Sequence, residues 1–164
     1  MKKLVLLSLF VVAMATAAFA QPRAIGGRVG YGFEASYQHS LGEQNMITAD
    51  LGLAGLGLEA AATYDWLNPG GLMIPWENKG SWNWYAGVGA GLGIYGFQNP
   101  WFFAGAAGRV GVEYNFWFPL QLSVDWRPIL GIGIGDRGDT PSKVWFNEYG
   151  LFQGGIAIAA RYIF

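Results

Sequence analysis

Apolar residues alternate with small or polar residues through most of this chain, and the pattern is clearest over residues 154–164, GGIAIAARYIF. There Ile156, Ile158 and Tyr162 share one parity, while Arg161 falls on the other. A period of two is that of a β-strand, whose successive side chains point to opposite faces. The sequence therefore predicts an all-β protein. Seven stretches carry the pattern: residues 25–38, 47–54, 58–66, 84–94, 102–114, 120–132 and 154–164.

Turn-forming residues separate these stretches, at 40–45, 68–71, 98–100, 115–119 and 136–143. Bacterial barrels of the outer-membrane kind have an even number of antiparallel strands, so one stretch is expected to hold two. Residues 24–39 are the best candidate, because Gly30-Tyr31-Gly32 can reverse the chain. The alternative places an additional strand at Val144–Tyr149. Either choice predicts eight strands.

The face opposite the apolar one consists mostly of Gly, Ala, Ser and Thr with isolated charges. Such a face is too small and too sparsely charged for an ordinary solvated surface. The sequence favours the inverted arrangement, in which the apolar face meets lipid and the small and charged residues line a narrow lumen. Backbone groups in lipid must pair internally, so a spanning sheet must close on itself. An aromatic-rich soluble sandwich, with the apolar face as its core, is the alternative.

Aromatic side chains gather near the ends of the predicted strands, where the interfacial girdles of membrane barrels place them. They are Tyr37, Tyr64, Trp66, Trp82, Trp84, Tyr114, Phe116, Trp117, Trp126 and Tyr162. The fold prediction is an eight-stranded antiparallel transmembrane up-and-down β-barrel with a filled polar interior.

The beginning of the chain has the pattern of a secretory signal peptide. A basic start precedes an apolar run from Leu4 to Phe19, and Ala18-Phe19-Ala20 forms a small-x-small cleavage site. We expect residues 1–20 to be removed and residues 21–164 to form one barrel domain; an uncleaved N-terminal anchor is the alternative. Without Lys2 and Lys3, eight basic residues face eleven acidic ones, which argues against nucleic acid as a partner. The chain has no cysteine, so neither disulfides nor thiolate metal sites are expected.

An eight-stranded barrel is just wide enough for its own side chains to fill. We therefore expect the inward-facing charges to pair with one another, because an unpaired buried charge is costly. A proton relay or a catalytic pair of carboxylates is the alternative role for these groups. The predicted lumen charge network consists of Arg28, Glu34, Asp50, Glu59, Asp65, Arg109, Glu113, Asp125, Arg127 and Arg161.

Three segments, AIGGRVGYGFEASYQHSLG, GVEYNFWFPLQLSVDWRP and GGIAIAARYIF, resemble the small OmpA/OmpX-type outer-membrane barrels of Gram-negative bacteria, including uncharacterised exported barrels. The resemblance covers nearly the whole chain after residue 20. It implies a place in the cell outer membrane, contact with outer-membrane lipid, and recognition by the barrel assembly machinery during biogenesis. In that family the last strand ends in an aromatic residue that the machinery recognises. Carried over, the assembly signal is Ile158, Ala160, Tyr162 and Phe164, with Ala160 a weaker apolar residue than the family pattern shows.

The expected function is a structural or envelope-interaction role without an open pore, without enzymatic activity, cofactor or metal. An envelope protein partner is possible, and the sequence does not identify it. A membrane-embedded lipid-modifying enzyme is one alternative, since His39 lies beside Ser40; adjacent strand residues, however, point to opposite faces. An adhesin is another, acting through loop 135–148 with its Arg137-Gly138-Asp139 tripeptide. The acidic residues of that loop are too few for a calcium cage.

Overall fold

The computed structural model describes residues 23–54, 57–69, 79–96, 100–135, 143–146 and 155–164. The predicted signal peptide and the Arg137-Gly138-Asp139 tripeptide lie outside these ranges. All regular structure within them is β-strand. No helix in the described part of the chain is long and apolar enough to cross a membrane.

Ten strand segments form one continuous antiparallel sheet in the described ranges. Each apolar-polar alternation of the sequence gives a strand, because the pleat sends the two classes of side chain to opposite faces. The segments are β1 (Arg23–Val29), β2 (Gly32–Ser40), β3 (Asn45–Ala54), β4 (Gly57–Pro69), β5 (Ser81–Tyr95), β6 (Trp101–Asn115), β7 (Leu120–Trp126), β8 (Ile129–Gly135), β9 (Lys143–Phe146) and β10 (Ile156–Ile163).

The sheet closes on itself as an eight-stranded antiparallel barrel. Each strand from β1 to β6 pairs with the next, and β1 pairs with β10 to complete the ring. Segments β7 and β8 form the seventh wall strand, since both pair with β6 in one unbroken register. The interruption falls at Arg127–Pro128, where proline has no N–H for the ladder. Segments β9 and β10 lie on the same side of this seventh strand and supply the eighth.

The position of the eighth strand follows the first of the two predictions. Residues 24–39 do hold two strands, with Val29 paired to Phe33 across a reversal at Gly30 and Tyr31. The backbone N–H of Gly30 donates to the carbonyl oxygen of Gly32 at 3.0 Å. The alternative strand at 144–149 overlaps β9, which contributes to the eighth wall strand and does not add a ninth. Residues 120–132, predicted as one strand, are divided by the proline.

Strand pairing also gives the stagger of the barrel. Starting at Arg28 and following the paired residue from strand to strand through β2 to β6, the path ends at Gly133 in β8. Following the pairs in the other direction, through β10, the path ends at Ser123 in β7. These positions are ten residues apart on the same wall strand, so the shear of the barrel is ten. For eight strands this stagger tilts the strands by about 40° from the barrel axis.

The interior and exterior of the barrel are inverted relative to a water-soluble protein, as the sequence predicts. Outward-facing Leu51, Val88 and Leu92 are more than half exposed, at 54%, 57% and 58%. Inward-facing Asp65 and Arg161 are at 0% and 1%. A closed barrel with buried charges rules out the sandwich alternative, in which the apolar face would be the core.

Glycines on the inner wall make room for large side chains that cross the lumen. A Cβ atom on Gly91 of β5 would lie 2.5 Å from the Cδ1 atom of Ile129. A Cβ atom on Gly111 of β6 would lie 2.6 Å from the ring of Tyr85. Carbon atoms pack at about 3.5–4.0 Å, so both positions require the absence of a side chain. The bulk of Ile129 therefore accounts for the glycine at position 91, and that of Tyr85 for the glycine at position 111.

Candidate functional site: the barrel interior

The barrel has two distinct ends: the termini end, where β1 begins and β10 ends, and the far end opposite to it. At the termini end, the backbone N–H of Arg23 donates to the carbonyl oxygen of Phe164 at 3.1 Å. Connections 41–44 and 116–119 lie at the same end, and the Gly30–Tyr31 turn lies at the far end. Between the two ends, the lumen holds a charged centre, an apolar plug towards the far end and an amide-lined mouth at the termini end.

Arg127 is the main hub of the charged centre. Its guanidinium donates to Asp50 Oδ2 at 2.6 Å, to Glu34 Oε1 at 2.6 Å and to Glu59 Oε1 at 2.7 Å. These three carboxylates come from β2, β3 and β4, on the opposite wall from the seventh strand. Charge-assisted contacts at these lengths are the strong class of protein hydrogen bonds. One cation at the strand break thus joins three successive strands across the lumen.

Two further arginines extend the centre. Arg28 donates to Glu34 at 2.5 Å and to Asp125 at 2.7 Å. Arg109 donates to Asp125 at 2.8 Å and lies within 3.5 Å of Asp50, with Asp65 also nearby at 3.8 Å. Each carboxylate in this group therefore has at least one arginine within ion-pair distance.

Two charges of the predicted network do not pair with an opposite charge among the described residues. Arg161 donates to Ser36, to Gln121 at 3.1 Å and to Ser123 at 2.8 Å, all neutral acceptors. Glu113 accepts from neutral side-chain amides. The expectation that all ten charges pair is therefore wrong for these two. Gln121 lies between them, donating to Glu113 at 3.0 Å while accepting from Arg161, and its amide keeps cation and anion apart.

Neutral side chains complete the coordination of the charged centre, and sequence reasoning did not single them out. The Thr48 hydroxyl donates to Asp65 at 2.7 Å, and the Tyr95 hydroxyl donates to Glu59 at 2.6 Å. The ring of Tyr85 lies under the Arg109 guanidinium, 5.4 Å from centroid to carbon. The signal was present in the alternation, because Thr48 has the same parity as Asp50 on β3, and Tyr85 and Tyr95 have the parity of the inward-facing glycines of β5.

Towards the far end the lumen is filled with aromatic and aliphatic side chains. Tyr95 and Trp101 stack with ring centroids 5.0 Å apart, and Trp101 meets Phe103 edge to face. Ile129 is completely buried and belongs to the same cluster, which also contains two alanines. This apolar plug separates the charged centre from the far end of the barrel, so solvent can approach the centre only from the termini end.

The predicted assembly-signal residues lie on the outer face of the closing strand. Ile158 is 61% exposed, Phe164 is 58% exposed, and Ala160 is also exposed. Tyr162 and Phe164 stack with centroids 6.5 Å apart. Recognition by an assembly machine is not tested by this geometry and stays a prediction, but all four side chains are presented on one surface.

The structure does not bring His39 and Ser40 together. The His39 ring stacks on Tyr37 along the outer wall, with Nδ1 3.4 Å from the tyrosine hydroxyl. Ser40 instead lines the cavity at the mouth. In the described ranges no group of three or more His, Cys, Asp or Glu residues is arranged to hold a metal ion.

Comparisons with protein-family models, with curated proteins and with solved structures give no match for this chain. The fold is therefore established from the strand pairing, and the function has to be argued from the exterior and interior of the barrel.

Proposed function

We propose that this protein is an integral outer-membrane β-barrel of the small OmpA/OmpX type, with a structural or envelope-interaction role and no open pore. The observation that carries the proposal is the inversion of the barrel. Arginines and carboxylates fill its interior, whereas Leu, Ile, Val and Phe side chains cover its exterior. Water-soluble monomers rarely expose a continuous apolar surface on this scale.

The outer surface fits a bilayer because it is apolar and because it carries exposed aromatic residues near the termini end. Trp66, Trp84 and Tyr162 lie within three residues of the termini end of their strands and are 52%, 39% and 57% exposed. Amphipathic rings gathered near one end of the strands match the interfacial girdle of outer-membrane barrels. The shear of ten and the tilt of about 40° also fall within the range of such barrels.

The wall height varies around the barrel. Strands β5 and β6 have 15 residues each, more than the roughly 9–11 that span a bilayer at this tilt. Strands β1 and β2 have only 7 and 9. A short side is accommodated by local thinning of the bilayer at modest energetic cost, so this asymmetry is compatible with the proposal.

The proposal of a closed lumen rests on the plug and the central ion pairs. Tyr95, Trp101 and Phe103 occupy the lumen towards the far end. Arg127 bridges the opposite walls closer to the termini end. A solute passing through would have to separate both layers. A structural role, or one exercised through the loops, agrees best with such an interior.

Accessibility labelling tests which surface meets lipid. Cysteine is introduced at outward-facing Val88, which is 57% exposed, and at inward-facing Ser123, which is 3% exposed and nearly the same size as cysteine. In vesicles, a lipid-soluble reagent should modify Val88→Cys rapidly, and a water-soluble reagent should leave it unmodified. Ser123→Cys is the matched control and should resist the lipid-soluble reagent. Rapid labelling of Val88→Cys by the water-soluble reagent contradicts a membrane location.

Migration in detergent gels gives a second test. A closed barrel that resists detergent should run at one apparent mass unboiled and at another after boiling. Identical migration of the two samples would count against a membrane barrel.

A further inference from the structure

The mouth at the termini end encloses a cavity of about 300 Å³. Gln38, Glu113, Asn115 and Gln121 line its inner part. Two further charged residues, Arg23 and the exposed Glu43, also line it. Neither the central ion pairs nor the apolar plug uses this space. It is a pocket inside the barrel, so its chemistry does not depend on what surrounds the outer wall.

Glu113 is the buried anion of this pocket, with 2% of its surface exposed. It accepts hydrogen bonds from the side-chain amides of Asn83 at 2.9 Å, Gln121 at 3.0 Å and Asn115 at 3.3 Å. All three donors are neutral, and no arginine or lysine of the described chain forms an ion pair with this residue. The carboxylate is thus held in place by neutral hydrogen-bond donors, while Arg161 and Arg109 act on its charge only from beyond ion-pair distance, and a buried charge without a direct ionic partner is costly.

Two amide atoms beside Glu113 also lack a partner within the described residues. Gln38 is only 4% exposed, yet its Nε2 atom forms no hydrogen bond, and neither does the Oδ1 atom of Asn115. Buried amides are rarely left unsatisfied. The two ends of the Gln38 amide exchange by rotation about its last bond, so this side chain can offer either a donor or an acceptor to the cavity.

We propose that the mouth binds a small organic cation carrying a primary ammonium group. Its N–H groups would donate to the Glu113 carboxylate, to Asn115 Oδ1 and to the Gln38 carbonyl. An ammonium has three donors and no acceptor, which matches a buried carboxylate without an ion-pair partner, the unsatisfied Asn115 oxygen and the rotatable Gln38 amide. A divalent metal ion fits less well, since calcium takes six to eight oxygen ligands and this pocket has a single buried carboxylate.

Calorimetric titration of the full-length folded protein in detergent micelles tests the proposal with putrescine as the probe. The matched control ligand is 1,4-butanediol, which has the same chain length with hydroxyls in place of the ammonium groups. We expect saturable binding of putrescine at one site and no measurable binding of butanediol. Absence of putrescine binding, or equal binding of the two compounds, overturns the proposal.

Variants then locate the site. Glu113→Gln should weaken putrescine binding at least about tenfold, because it removes a charge-assisted contact. Glu43→Gln makes the same charge change at the exposed rim and should weaken binding by less than about twofold. Gln38→Met removes an amide whose Nε2 atom forms no hydrogen bond within the described residues, so we expect the fold to be retained and binding to weaken roughly threefold. Equal losses for Glu113→Gln and Glu43→Gln, or unchanged binding for Gln38→Met, contradict the site.

Discussion

Replacing Arg127 with methionine removes the hub of the interior while keeping a long unbranched side chain. Three contacts are lost, to Asp50 and Glu34 at 2.6 Å each and to Glu59 at 2.7 Å. The carboxylates do not become equally isolated. Glu34 keeps Arg28 at 2.5 Å, whereas Glu59 keeps only the Tyr95 hydroxyl among the contacts described. The cost of the substitution therefore falls most heavily on Glu59.

Breaking a buried ion pair by removal of one partner costs about 3–5 kcal/mol, because the remaining charge stays buried without compensation. We expect Arg127→Met to lower the free energy of unfolding by at least that amount, a large part of the roughly 5–15 kcal/mol available to a domain. Adding Glu59→Gln to this variant removes the most isolated charge, and should restore at least about 1 kcal/mol. Urea titration of the protein in lipid vesicles, followed by tryptophan fluorescence and by migration of unboiled samples, measures both changes.

Arg161→Met is the matched control for Arg127→Met. Its guanidinium is also buried, but its partners Ser36, Gln121 and Ser123 are neutral and can bond elsewhere. The loss at this position should be clearly smaller than at Arg127. Equal losses for the two variants, or an Arg127→Met protein within about 0.5 kcal/mol of the wild type, refute the claim that carboxylate pairing governs stability here.

Further outcomes follow from other contacts. Tyr95→Phe removes the hydroxyl that donates to Glu59 and should cost about 1–3 kcal/mol in the same urea titration; no loss shows that the contact is not stabilising. Gly91→Ala places a Cβ atom 2.5 Å from Ile129 Cδ1 and should cost about 1–3 kcal/mol, a loss that an additional Ile129→Val change should reduce. Phe164→Ala should slow assembly into the outer membrane in cells while leaving the equilibrium stability of the refolded barrel nearly unchanged. If Phe164→Ala also lowered the equilibrium stability, the role of this residue would be to pack in the folded barrel and not to signal assembly.

The fold could be predicted from the sequence because a barrel wall has a simple period. Each inward charge, such as Glu34 or Asp125, has the parity opposite to its apolar neighbours, and this alone places it in the lumen. The reversal at Gly30–Tyr31 could also be predicted, because a barrel of this kind needs an even number of strands. The break at Pro128 was missed because the alternation continues through it without a change of register.

Partners across the lumen could not be predicted in the same way. Parity gives the side of the wall on which a residue lies, but its height depends on the stagger of all eight strands. With a shear of ten, Arg127 reaches Asp50, Glu34 and Glu59 on the opposite wall. Arg161 and Glu113 instead contact residues of neighbouring strands, with which they are paired directly: Gln121 and Asn83. Which charges pair is therefore a property of the closed barrel and not of any single strand.

The central ion pairs connect strands that are distant in sequence, and this suggests why a costly charged interior is retained. Arg28 of β1 contacts Asp125 of β7, 97 residues away, and Arg127 reaches Glu34, 93 residues away. A slip of one residue in any wall strand turns its inward side chains outward. In the proposed membrane location, charge moved to the outer wall would then face lipid, at a cost of about 2–4 kcal/mol for each arginine near the middle of the bilayer. The network would thus penalise a wrong register of a charge-bearing strand twice, once by breaking pairs in the lumen and again by exposing charge outside.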